Sequence, residues 1–184
     1  MKDNLPNGQS YLCGQANEPL LYETIGACLE RIASTYPQQP ALVVRHQNIR
    51  WTYADYQQRI DALASGLLAM GVNPGDRVGI WSPNRVEWCL TQFATAKIGA
   101  IMVCINPAYR LYELEYALNK VECKALIAAE SFKSSEYLQM LQTLAPELAQ
   151  CAPGALAAAK LPHLKSVVRM GEGKTPGMFN FDQV

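Results

Sequence analysis

The sequence predicts an α/β protein in which a parallel β-sheet is flanked by helices and preceded by a β-hairpin. Three β-prone runs begin near residues 77, 101 and 125, at a spacing of about 24 residues, and each gap holds one apolar pattern of helical period. This alternation is typical of right-handed βαβ crossovers and therefore of a parallel sheet. Two short β-prone runs, 41–45 and 49–53, flank Gln47 and Asn48 and predict the hairpin.

The first helix is expected after an irregular N-terminal arm. Residues 1–19 show no periodicity, so we expect them to precede a domain over residues 20–184. Thr24 is a good N-cap residue, and Pro37 stops the helical pattern. The apolar stripe of this helix consists of Ile25, Cys28, Leu29, Ile32 and Tyr36.

The second helix carries start and stop signals. Thr52 and Asp55 resemble a capping box at its beginning, and Gly71 is placed to end it. We expect one face to be buried. That face consists of Tyr56, Ile60, Leu63 and Leu67. A turn at residues 73–75 then leads into a strand at 77–81.

The remaining elements follow in alternation. Asn84 and Glu87 are predicted to cap a third helix that ends at Gly99. Strands are predicted at 100–105 and 124–129, with a helix between them that carries Leu111, Leu114 and Leu118. Beyond these, the pattern predicts a helix at 137–144, an irregular stretch at 146–162, a strand at 165–170 and a turn-like end with no terminal helix.

The composition gives no support for several classes of partner. Sixteen basic and sixteen acidic residues leave no net charge, so there is no electrostatic reason to expect nucleic acid or an anionic membrane. No uncharged apolar run reaches the roughly 18 residues of a membrane span, and the start lacks the apolar core of a secretion signal. The sequence thus predicts a cytoplasmic protein. Its six scattered cysteines are interpreted as small buried hydrophobes in a reducing compartment.

The familiar catalytic motifs do not occur. Residues 173–175 imitate the end of a phosphate-binding P-loop, but the glycine that should precede them is missing and Pro176 stands where a helix should begin. No GxGxxG, GxSxG or HExxH pattern is present, and His46 and His163 are isolated. The residues alone therefore predict no catalytic group and no metal ligand.

Polar loops after the predicted strands are the best candidates for ligand contact, since ligands of open parallel sheets bind at the carboxyl ends of strands. These loops are 82–84, 106–110 and 130–131. The candidate side chains are Ser82, Asn84, Asn106, Tyr109 and Arg110. An amide, a phenol and a guanidinium in one short loop suit a phosphate or a carboxylate. The alternative is that Asn106 and Pro107 shape the turn. In that case Arg110 pairs with Glu113 or Glu115.

Several longer runs allow a family to be named. In order along the chain they are TYADYQQRIDALASGLLAMGVNPGDRVGIW, WSPNRVEW, AKIGAIMVCINPAYR and ELEYALNKVECKALI. Together they resemble the N-terminal portion of acyl-CoA synthetases of the AMP-forming, adenylate-forming ligase superfamily, above all its medium- and long-chain fatty-acid members. The likeness extends from about residue 19 to residue 182, which is nearly the whole chain.

The resemblance implies a two-step reaction. ATP and a carboxylic acid give an acyl-adenylate and pyrophosphate, and the CoA thiol then gives the thioester and AMP, with Mg²⁺ assisting. In this family the phosphate loop, the ribose-binding Asp and the catalytic Lys come from elements further along the chain. None of those motifs occurs in these 184 residues. We therefore expect this chain to be an incomplete part of the large N-terminal α/β domain of an adenylate-forming enzyme, inactive by itself.

The same resemblance sets the expected partners. For the full-length enzyme they are ATP, Mg²⁺, CoA and a fatty acid. This chain itself is expected to pack against the remainder of its own polypeptide. A homo-oligomer is a further possibility. A different hypothesis remains open at this point. The chain would then be a stand-alone, non-catalytic binding or scaffold module with the same fold.

Overall fold

The computed structural model describes residues 20–184, so the predicted N-terminal arm lies outside the described residues. The helices are α1 (Ile25–Thr35), α2 (Tyr53–Ala69), α3 (Val86–Lys97), α4 (Leu111–Lys120) and α5 (Tyr137–Leu144). The strands are β1 (Pro40–Val44), β2 (Ile49–Thr52), β3 (Arg77–Trp81), β4 (Ile101–Cys104), β5 (Cys123–Ala128), β6 (Ser131–Phe132), β7 (Ser135–Glu136), β8 (Ser166–Arg169) and β9 (Phe179–Asn180).

Five strands form one parallel sheet in the order β4-β3-β5-β8-β9. The chain passes from β3 to β4 on one side and then places β5 on the other side of β3. The direction of winding therefore reverses between β3 and β5, and this reversal makes a topological switch point. The parallel α/β architecture predicted from the sequence is confirmed.

The N-terminal elements also match the prediction. The Thr24 hydroxyl accepts the N–H of Ala27 at 3.2 Å, which caps α1. Strands β1 and β2 pair antiparallel around a 3₁₀ turn at Arg45–Gln47. Asn48 closes that turn in the left-handed region, at φ 52°, a conformation that Asn tolerates better than most residues.

Helix α2 shows the predicted capping box and the predicted buried face. The Asp55 N–H donates to the Thr52 hydroxyl at 3.2 Å, and the Thr52 N–H donates to the Asp55 carboxylate at 3.0 Å. All four residues predicted for the buried face are buried, namely Tyr56, Ile60, Leu63 and Leu67. Gly71 follows the helix with φ 84°, as its role in ending the helix requires.

The predicted cap of α3 is wrong. Asn84 is exposed, the helix begins at Val86, and the N-cap residue Arg85 makes no side-chain capping bond. Gln47, on the hairpin, takes this role: its Oε1 accepts the Val86 N–H at 2.8 Å, and its Nε2 donates to Glu87 Oε2 at 3.1 Å. Local sequence cannot indicate a cap that comes from 39 residues away.

Three short strands were not predicted. The predicted turn-like end contains β9, which pairs parallel with β8, and a 3₁₀ turn at Phe181–Gln183 in which the Asn180 N–H donates to Gln183 Oε1 at 3.3 Å. Strands β6 and β7 form a separate small hairpin before α5. Each of the three strands has two residues, which is too short for an alternating pattern to reveal.

The cysteines are less buried than the sequence indicated. Of those described, only Cys123 is buried, and burial raises the pKa of its thiol to about 12. Cys28, Cys89 and Cys151 are half-buried, whereas Cys104 is exposed because it lies on the edge strand β4. In the described part of the chain, every helix is too short or too polar to cross a membrane.

Candidate functional site

The four longest strands of the sheet end at one edge, and the polar loops that follow them gather there. Two neighbouring features result. One is the Asn106 loop, residues 106–110 after β4. The other is the switch-point cleft, a cavity of about 150 Å³ beside the reversal between β3 and β5. The cleft is lined by Pro83, Arg85, Ala129, Glu130, Ser131, Met170 and Gly171.

Two stacked aromatic side chains hold the backbone of the Asn106 loop. The rings of Trp81 and Tyr137 lie 3.6 Å apart between centroids with 17° between their planes. The Trp81 indole donates to the carbonyl of Asn106 at 3.1 Å, and the Tyr137 hydroxyl donates to the carbonyl of Pro107 at 2.5 Å. Burial raises the pKa of Tyr137 to about 12, so this donor stays protonated at neutral pH. The loop therefore has a fixed backbone.

The side chains of the loop divide between turn shaping and exposure. Asn106 Oδ1 accepts the N–H of Ala108 at 2.9 Å, as in an Asx turn, which agrees with the turn-shaping alternative for this residue. The Arg110 guanidinium donates to the Ser135 hydroxyl at 2.6 Å. Its backbone N–H, not its side chain, contacts Glu113, at 3.1 Å. Within residues 20–184, no ion pair includes Arg110, so the predicted pairing of its side chain with a glutamate is not found.

The other predicted residues lie by the switch-point cleft. Ser82 is buried, and its hydroxyl donates to the Pro83 carbonyl at 2.8 Å. Its own carbonyl accepts from the Trp88 indole at 3.0 Å. Asn84 is exposed at the end of the same loop. The structure thus places Asn106, Tyr109 and Arg110 on one loop, and Ser82 and Asn84 on another. Ligand contact by any of these five residues stays a prediction.

A charged pair at this edge was not predicted. Arg169 ends β8 with 3% of its surface exposed and forms an ion pair with the Glu130 carboxylate. Its Nε has no partner among the described residues. A Cβ at Gly173 would overlap the Arg169 guanidinium, and one at Gly171 would lie 3.0 Å from the Glu130 carboxyl group. The sequence did contain an indication of this buried charge, an arginine inside the apolar run SVVRM. A strand pattern does not show which residue such an arginine contacts.

A second carboxylate, Glu87, lies beside the cleft residue Arg85. The Arg85 guanidinium donates to it at 2.9 and 3.1 Å, and Gln47 adds a bond at 3.1 Å. Burial alone would raise the pKa of Glu87, but the hydrogen bonds from Arg85 and Gln47 outweigh it and lower the pKa below its usual 4.5. Glu87 is therefore ionised at neutral pH and compensates the charge of Arg85.

The described residues do not by themselves fit ATP and Mg²⁺. Across residues 20–184, no three His, Cys, Asp or Glu side chains converge to hold a metal ion. The turn at 171–177 leads into β9 and not into a helix, so it lacks the helix N-terminus that phosphate loops use. What this edge offers is a fixed loop backbone, exposed polar side chains and one exposed guanidinium.

Comparison with known proteins agrees with this architecture. The family model described as AMP-binding enzyme matches residues 29–173. A Bos taurus protein named medium-chain acyl-CoA ligase ACSF2, mitochondrial, is 45% identical over 177 residues, which are 96% of this chain and 29% of that protein. The chain thus spans less than a third of that relative's length.

Solved structures show the same fold. The anthranilate CoA ligase AuaEII superposes with a TM-score of 0.73 at 25% identity, over 89% of this chain and 28% of that one. A fatty acyl CoA synthetase of Mycobacterium tuberculosis superposes with a TM-score of 0.66 at 26% identity, over 79% of this chain and 26% of that one. With the family model matched over most of its residues, this chain belongs to the AMP-binding enzyme family.

Proposed function

We propose that this chain is the N-terminal part of an AMP-forming acyl-CoA ligase. The complete enzyme would activate a fatty acid of medium chain length with ATP and Mg²⁺ to an acyl-adenylate and transfer the acyl group to CoA. The observation that carries the proposal is 45% identity, over 96% of this chain, to a protein named as a medium-chain acyl-CoA ligase. The parallel sheet supports it, because other CoA ligases share that fold.

Within such an enzyme, we assign this chain to scaffolding and to one ligand-contacting surface. The Asn106 loop is the surface, since its backbone is held by Trp81 and Tyr137 and its position is therefore set before a ligand arrives. Arg110 uses one guanidinium N–H on Ser135 and retains others for an anionic group of the ligand, a phosphate or a carboxylate. Asn84 would add an amide from the neighbouring loop.

ATP–pyrophosphate exchange tests the proposed activity. Octanoate, palmitate and acetate would be compared, both with the chain of residues 1–184 and with the longer polypeptide encoded by the same reading frame. We expect exchange only from the longer polypeptide, with octanoate the best of the three. Exchange by residues 1–184 at the same rate would contradict the proposal. A folded longer polypeptide that is inactive with every acid would favour the non-catalytic scaffold module.

The role of Arg110 needs a separate experiment in the longer polypeptide. Arg110→Ala should raise the KM of the anionic substrate that the loop contacts by about tenfold, while Arg110→Lys should recover part of this loss. Arg45→Ala, at an exposed arginine in the hairpin turn, is the matched control and should leave every KM unchanged. Equal KM values for all variants would contradict the proposed contact between Arg110 and the ligand.

Cellular location stays a prediction. The sequence predicts the cytoplasm, whereas the bovine relative carries the word mitochondrial in its name. Fractionation of the source cells with an antibody against this chain would distinguish the two. Recovery with a membrane-bounded organelle would contradict the sequence-based expectation without affecting the proposed activity.

A further inference from the structure

An apolar groove, called here the α1 groove, lies between α1, the β1–β2 hairpin, α2 and α3. Its volume is about 420 Å³. Among the residues that line it are Ile25, Cys28 and Ile32 of α1, Leu42 of β1, Tyr53 of α2 and Phe93 of α3. All of its lining residues are uncharged. An occupant would therefore have to be apolar.

The groove leaves an apolar helix face without cover among the described residues. Ile25 heads the apolar stripe of α1 yet is 60% exposed, and of the predicted stripe only Leu29 is buried. Leu20 and Leu21, which precede α1 along the chain, are exposed as well. Exposed apolar side chains gathered around a groove mark an interaction site.

We propose that the α1 groove binds the run Tyr11–Cys13 of the same chain. This run, Tyr-Leu-Cys, is the longest apolar stretch in the 19 residues that precede the described structure. Gly8 and Gly14 flank it and allow the chain to turn on either side. No charged residue occurs between positions 4 and 17, so docking buries no charge in the groove.

The position and length of the segment fit this assignment. The segment joins the structure at Leu20, five positions before Ile25, which lines the groove. The eight residue-to-residue steps from Leu12 to Leu20 reach about 26 Å when extended. Helix α1, with 11 residues, is only about 16 Å long. The run can therefore fold back along the whole of α1.

Covalent attachment favours this occupant over a separate molecule. A short tether holds the run near the groove at an effective concentration of about millimolar, well above the concentration of a second protein copy in a typical sample. The ion pair between Glu23 and Arg31 lies outside the apolar lining but next to Cys28, with an Arg31 N–H 3.6 Å from the sulfur. The polar backbone of a peptide suits this charged neighbour better than a lipid chain does.

Alkylation of Cys28 by iodoacetamide, followed peptide by peptide with mass spectrometry, tests the proposal in the chain of residues 1–184. The double variant Tyr11→Asp, Leu12→Asp should expose the groove and speed alkylation of Cys28 by about tenfold, the factor expected when the docked form outnumbers the undocked form by about ten to one. Alkylation of Cys104, on the edge strand β4, should not change.

Leu5→Asp is the matched control, because it places a charge in the same segment outside the run. It should leave the Cys28 rate as in the unaltered chain. Equal rates in all three proteins would overturn the proposal. Protection of Cys28 that falls on dilution would also overturn it and would assign the groove to a second copy.

Discussion

At the residue scale, one side chain of the hairpin joins the first half of the chain to the parallel sheet. Gln47 bonds to the Val86 N–H and to the Glu87 carboxylate, so it caps α3 in place of a local residue. Helix α3 follows directly on the loop that lines the switch-point cleft. The position of that loop therefore depends on a contact with the hairpin.

This contact makes the first prediction. Gln47→Ala should lower the free energy of unfolding by about 1 kcal/mol, because it leaves a helix N–H without its cap. Asn84→Ala, at the residue that the sequence indicated as the cap, should cost less than about 0.5 kcal/mol, as exposed positions usually do. Urea denaturation of both variants gives the comparison. A larger loss for Asn84→Ala would show that the local cap operates in solution.

Two glycines with positive φ provide a second test at this scale. Gly75 and Gly177 have φ 84° and 71°, a region that costs other residues about 1 kcal/mol. A Cβ on Gly75 would meet nothing within 4 Å, whereas one on Gly177 would overlap the carbonyl oxygen of Leu148. Gly75→Ala should therefore cost about 1 kcal/mol and Gly177→Ala roughly 3 kcal/mol. Thermal denaturation measures both, and equal losses would contradict the overlap.

At the element scale, β4 is an edge strand that is open to a partner. It pairs with β3 on one side, and its other edge is unpaired within residues 20–184. Ile101 is 52% exposed on it, and Cys104 is exposed too. An open edge of this kind invites pairing with another chain. If the protein forms the homo-oligomer that the sequence leaves open, we expect the contact at the open edge of β4.

We accordingly expect concentration-dependent self-association through β4. Ile101→Lys should weaken it, since a lysine on an edge strand opposes edge-to-edge pairing. Leu68→Lys makes the same change at an exposed position of α2 and should have little effect. Light scattering at micromolar concentration gives the mass of each protein. An unaltered chain that stays monomeric at every concentration would contradict the prediction.

At the scale of the whole molecule, two carboxylates connect distant parts of the fold. Glu87 is held by Arg85 and Gln47, and Asp76 is held by Lys124 at 2.6 Å. Burial tends to raise the pKa of each carboxyl group, but the hydrogen bonds prevail and lower both. Such groups stabilise the fold above their unfolded pKa values, and this contribution disappears as the pH falls through the lower folded values.

Acid should therefore destabilise the whole molecule. The free energy of unfolding should decrease as the pH falls below the usual carboxyl value of 4.5 for Glu87. Glu87→Gln should be less stable at neutral pH and should lose less on acidification, while Glu172→Gln, at an exposed position, should behave as the unaltered chain. Denaturation at about pH 7 and about pH 3 tests this. An unchanged pH dependence in Glu87→Gln would contradict it.

Sequence reasoning succeeded where structure depends on near neighbours. Helix α2 is an example, because its capping box and buried face are readable within a few positions of Thr52. It failed where a contact is distant or an element is very short. The Arg169–Glu130 pair and the Gln47 cap each join residues 39 positions apart, and β6 and β7 have two residues each.

The sequence by itself determined the parallel α/β class, most of the longer elements and the family, because periodicity, caps and extended motifs are local in the chain. Only the tertiary structure decided which loops meet at the carboxyl edge of the sheet. It placed Arg110 on Ser135 and not on a glutamate, and it left the α1 groove open among the described residues. The physical reason is that strand order and packing join residues whose separation along the chain carries no local signal.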